Sequence, residues 1–147
     1  MQTAPPREVV APAGVPVIDG ANIDQFLNPV GGVAPHALIF FVGHATPRPE
    51  TEDVAIVLPE LLRAFDGRLR GAVVAASDED SLKSRFQVSV TPSLVVTRGP
   101  EPVGVLPKIQ DWSVYVQKIS AWLEPDAPAL ARSKPDGRVE FVYTQRR

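Results

Sequence analysis

The chain has no cysteine among its 147 residues. That removes disulfides, thiolate metal ligands, thiol nucleophiles and dithiol redox chemistry together. Two histidines remain, His36 and His44. Imidazole titrates near neutral pH and serves as acid, base or metal ligand. These two flank a single apolar run, with no acid–base partner or third ligand visible in the sequence. We therefore expect no catalytic residue, no metal site and no cofactor. No phosphate loop, zinc spacing, nucleophile elbow or dinucleotide fingerprint occurs. Two acidic groups, Glu50/Glu52/Asp53 and Asp78/Glu79/Asp80, have the charge to attract a basic segment through charge-assisted hydrogen bonds. Each also reads as a solvated helix start.

The other chemically expressive stretch is Phe86-Gln87-Val88-Ser89-Val90-Thr91-Pro92-Ser93-Leu94-Val95-Val96. Proline lacks an N–H and fixes its φ, so Pro92 cannot be an ordinary mid-strand residue. It marks the first residue of a strand, after a sharp turn. A cis Thr91–Pro92 bond makes such a turn; a trans proline opening the strand is the alternative. A turn of this kind leaves main-chain groups of Thr91 open to an extended peptide.

The elements that must position these residues follow from composition and period. Hydrophobic residues are 44% and charged residues 22%, the balance of a globular domain with a core. A net charge of −2 gives no pull toward nucleic acid or anionic membrane. No apolar run is long enough to span a bilayer. The N-terminus lacks the charged-then-apolar order of a signal peptide, so a cytoplasmic location is expected. The 16 prolines cluster where loops and tails belong. Residues 1–14 read as a flexible lead-in, and residues 124–147 as a Pro-rich basic tail in which Val139, Phe141 and Tyr143 alternate.

Between them, residues 15–18 suit a short edge strand, and Asn22 with Gln25 suits a helix start. Residues 37–42 form a continuous apolar run, the mark of a central strand covered on both faces. A helix is expected from about Thr51, with Val54, Val57, Leu58, Leu61, Leu62 and Phe65 on one face and Pro59 kinking it. Residues 72–76 make a second buried strand. Ser77 and Asp80 suggest a cap for a short helix carrying Leu82 and Phe86. Residues 93–97 and 102–106 make a hairpin. The last helix places Trp112, Tyr115, Val116, Ile119, Trp122 and Leu123 on one face, with both tryptophans expected in the core. The class is α/β: a central mixed sheet of four to five strands between helices.

This order, with a proline before the hairpin, resembles the thioredoxin fold. The segment from Phe86 to Ser93 is similar to that family's aromatic-Gly-Ile-Arg-Gly-Ile-Pro-Thr stretch, which implies a cis Thr91–Pro92 turn. Pro59 resembles the kink proline of the redox helix. That alignment puts Thr51-Glu52-Asp53-Val54 where a thioredoxin carries its cysteine pair, and the preceding strand lacks the buried carboxylate that assists thiol exchange. Two further segments, residues 57–65 and 104–112, resemble the hydrogenase-expression family HyaE/HupG/HoxO, over roughly residues 15–123 in all.

That resemblance implies a cytosolic, non-redox assembly factor for uptake [NiFe]-hydrogenase. The implied partner is the small-subunit precursor with its twin-arginine signal peptide, alongside other hydrogenase maturation proteins. Protection during aerobic maturation is implied as well. The candidate partner-binding residues are Thr91, Pro92, His44, Glu50, Glu52 and Asp53. A generic non-catalytic thioredoxin-like peptide-binding domain with another client is the alternative.

Overall fold

A computed structural model describes residues 14–28, 34–46 and 48–130. The expected lead-in up to residue 13, and the alternation at Val139, Phe141 and Tyr143, lie outside the described residues. The run expected to be central is β2 (His36–Phe41), buried at every position. It pairs in parallel with β3 (Arg70–Val74) and antiparallel with β4 (Ser93–Arg98). β1 (Val17–Ile18) adds in parallel outside β3, and β5 (Glu101–Pro107) adds antiparallel outside β4. The sheet has five strands in the order β1-β3-β2-β4-β5.

Strand side chains alternate between faces, so one apolar run feeds two cores. Leu38 and Phe40 join Val54, Leu58 and Leu61 of α2 (Glu50–Ala64) and Tyr115 and Ile119 of α4 (Trp112–Trp122). On the other face Ile39 and Phe41 meet Ile23 and Leu27 of α1 (Ile23–Leu27) and Leu82 and Phe86 of α3 (Glu79–Phe86). The rings of Phe41 and Phe86 are tilted, with centroids 6.1 Å apart. Each such side chain is worth roughly 1.5–3 kcal/mol of burial. Pro59 lies inside α2, where it cannot donate a helical hydrogen bond.

Several local expectations change. Asn22 precedes α1 without capping it through its side chain. The turn before it is tied from both sides: Asp19 Oδ1 accepts the N–H groups of Ala21 at 2.8 Å and Asn22 at 3.0 Å, and Asn22 Oδ1 accepts the Asp19 N–H at 2.8 Å. Ser77 caps nothing and lies in a 3-10 turn at Ala76–Asp78. β3 begins at Arg70, two residues early, because its pairing with β2 runs on to Ala37–Arg70. Trp112 is 47% exposed and is not a core anchor, whereas Trp122 packs over Gly104. The segment after α4 turns back onto the hairpin: Ala127 is buried, and the Leu130 N–H donates to Pro102 O at 2.9 Å.

Candidate functional site

At the end of the sheet where β2 stops and β4 starts, three segments converge. They are residues 42–46 after β2, the first turn of α2, and the turn into β4. The Thr91–Pro92 peptide bond is cis, and Pro92 is buried. The main-chain acceptors on either side of Thr91 are used. Val90 O accepts the Ser93 hydroxyl at 2.7 Å, and Pro92 O accepts the Lys108 N–H at 2.7 Å. Neither the N–H nor the C=O of Thr91 itself has a partner among the described residues. Thr91 is half-buried, and Val90 before it is 37% exposed.

Gly43 shapes the floor. It adopts φ +86°, a conformation open to glycine and strained for other residues. A Cβ there would come within 2.5 Å of the Thr91 hydroxyl oxygen, so the two segments touch only because position 43 has no side chain. The next residue, His44, is half-buried with its Nε2 3.3 Å from Val74 O. A carbonyl only accepts, so Nε2 carries the proton. The imidazole is thus turned toward β3.

Thr51 and Val54, expected from the thioredoxin resemblance at the cysteine places, both face inward. The Thr51 hydroxyl donates to Val42 O at 3.4 Å. Glu52 and Asp53 between them are exposed, and Glu50 is half-buried. All three sit in the first turn of α2, where carboxylates face the positive end of the helix dipole. No ion pair engages them among the described residues.

The second acidic run does not form an open patch. Glu79 is buried, and its carboxylate accepts the Gly43 N–H at 2.9 Å and the His44 N–H at 2.8 Å. Asp78 accepts the Gly20 N–H at 2.6 Å. Asp80 stays exposed beside Lys83 at 3.6 Å. In sequence Glu79 looks like any first-turn carboxylate; nothing local tells that it folds inward.

The histidines do not converge. His36 opens β2 and His44 lies beyond its end, so a strand of roughly 20 Å separates them. His36 is buried with Nε2 unpartnered among the described residues. Burial, then the charges of Arg98 and Arg68, push its pKa down. Among the described residues no three His, Cys, Asp or Glu side chains are grouped to hold a metal ion, and no helix is long and apolar enough to cross a membrane. A cleft of about 450 Å³ lies at the far end of the sheet, between Arg85 and Gln87 at the close of α3 and Pro100 and Glu101 of the hairpin. Arg85 there is paired with Asp24 at 2.7 Å.

The model of a protein family described as "Hydrogenase-1 expression protein HyaE" matches residues 7–115. The hydrogenase expression/formation protein HupG of Rhizobium leguminosarum bv. viciae is 56% identical over 133 residues, 90% of this chain and 89% of that protein. A crystal structure assigned to hydrogenase expression/formation, HupG from Rhodopseudomonas palustris, is 45% identical with a TM-score of 0.52, covering 76% of this chain and 98% of that one. A mutant thioredoxin from Halobacterium salinarum superposes with a TM-score of 0.59 at 19% identity, covering 75% of this chain and 92% of that one. The fold is thioredoxin-like.

Proposed function

This chain belongs to the HyaE family of hydrogenase expression proteins, and from that premise we propose that it is a non-redox assembly factor for an uptake [NiFe]-hydrogenase. It grips the small-subunit precursor, through the twin-arginine signal peptide, the subunit body or both. One observation supports this most: a main-chain edge at Thr91, unpaired among the described residues, on a scaffold without thiols. An extended client segment adds to such an edge as a strand, with Thr91 N–H and C=O supplying the pairing. In a thiol-bearing protein that alignment would precede sulfur attack; here the complex simply persists. Pro92 shapes the edge, and the segment from His44 to Asp53 closes one side. Glu50, Glu52 and Asp53, without an ion pair among the described residues, offer carboxylates to paired arginines.

The work is binding rather than catalysis, since His36 and His44 stand apart. It takes place in the cytoplasm, before a precursor of this kind is exported, and in contact with other maturation proteins. Keeping the precursor bound shields it during aerobic maturation. Pull-down of the small-subunit precursor, with and without its signal peptide, tests the proposal. The complete precursor is expected to be retained. Retention of neither form contradicts the proposal and leaves a generic peptide-binding domain with another client.

A further inference from the structure

Glu79 is the one buried carboxylate among the described residues. No cation pairs with it there. Taking an unpaired carboxylate out of water is costly unless hydrogen bonds replace its hydration. Both oxygens are so served, and by consecutive main-chain groups: Oε2 by Gly43 N–H at 2.9 Å and Oε1 by His44 N–H at 2.8 Å. The donors belong to the floor of the Thr91 edge, while the carboxylate comes from α3, 35 or more positions further along the chain.

The same short segment is held at two more points. Thr46 N–H donates to Gly43 O at 3.1 Å, and the His44 ring is held at Val74 O. Gly43, fixed this way at φ +86°, lies against the Thr91 side chain with no room for a methyl group between them. A shift of the Gly43–His44 peptide is therefore a shift of the wall against which Thr91 rests.

We infer that Glu79 is the positioning residue of the client edge: its carboxylate fixes the Gly43–His44 peptide and, through Gly43, presents Thr91 ready for strand pairing. An edge held in its bound shape loses less freedom when a client docks, so affinity follows the rigidity of this link. The inference rests on the proposal that the Thr91 edge takes the client.

The test compares Glu79→Gln and Glu79→Asp with Leu82→Ala in the full-length protein. Gln turns an amide N–H toward one of the two donors; Asp keeps the charge but draws it back by a methylene. Leu82 is a buried core residue of the same helix, so its truncation destabilises α3 without touching the carboxylate. Amide hydrogen exchange at Gly43 and His44 should accelerate at least roughly tenfold over that of Val95 in both Glu79 variants, as expected for a lost charge-assisted bond. Precursor affinity should fall with it. Leu82→Ala should lower the melting temperature but leave local exchange and affinity near wild type. Unchanged exchange at Gly43 and His44 in either Glu79 variant would overturn the inference, as would an affinity loss that merely tracks melting temperature across the three. If the wild-type protein binds no precursor, the client proposal fails. The exchange rates, with the Thr91 amide resonance, still decide whether Glu79 positions the edge.

Discussion

Gly43 carries a larger structural burden than its size suggests. It combines a left-handed φ with a contact to Thr91 that excludes even a methyl group. We expect Gly43→Ala to cost about 1–3 kcal/mol, from backbone strain together with displacement of Thr91. Urea unfolding checks this, and a loss under about 0.5 kcal/mol, the range of a neutral surface change, would mean that the contact is not tight. His36 predicts a pH dependence. Burial and two nearby arginines depress its pKa, so the folded protein binds that proton less readily than the unfolded chain does. Stability contributed by the neutral ring is full above the unfolded value of about 6.5, declines as pH falls toward the folded value, and levels off below it. The urea midpoint should thus drop as pH falls below about 6.5, and His36→Leu should flatten that drop. An equally steep drop in the variant would assign the acid sensitivity to other groups.

At the scale of elements, α2 has a packed face and an acidic first turn. Its inner face, through Val54, Leu58 and Leu61, holds the sheet. Its first turn presents Glu50, Glu52 and Asp53 with no ion pair among the described residues. Replacing the three by Gln, Gln and Asn removes only helix-dipole support from the fold, roughly 0.3–1 kcal/mol each. Precursor affinity should fall several-fold at low salt. The gap should close near 1 M salt, where the screening length shrinks to about 3 Å. Equal affinities at low salt would remove the acidic turn from the binding surface. The elements themselves were largely legible. The uninterrupted run at residues 37–42 declared a strand covered on both faces, and the spacing of Val54, Leu58 and Leu61 declared the helix over it. Less legible were details decided by a neighbour in space. Arg70 enters β3 because its main chain continues the pairing with β2 at Ala37, while its side chain reaches back to Ala34 O at 2.7 Å and Phe26 O at 2.5 Å. Asp19 and Asn22 close the turn before α1 on each other, rather than Asn22 capping the helix itself. Trp112 lies in the apolar stripe of α4 yet stays partly in solvent, since a helical period marks a face but not where its cover ends.

For the whole molecule, the sheet order puts the start of β4 beside the end of β2, and that juxtaposition makes the site. The Thr91–Pro92 turn, the glycine at position 43 and the acidic turn of α2 are separate in sequence and share one end of the sheet. The proline turn and the acidic residues had sequence signals. Glu79 had none, because a first-turn carboxylate has the same pattern whether it faces water or folds under a loop. The hairpin end holds the cleft lined by Arg85 and Glu101, so the two ends of the molecule provide distinct surfaces for comparison.

Titration of the isotope-labelled protein with small-subunit precursor, read at backbone amides, distinguishes those ends most directly. The predicted result is a set of shifts centred on Gly43, His44, Thr91 and Lys108, with Thr91 becoming protected from exchange as its N–H gains a partner. Shifts centred instead on Ser84, Arg85 and Glu101, with Thr91 exchanging as freely as in the unbound protein, would contradict it.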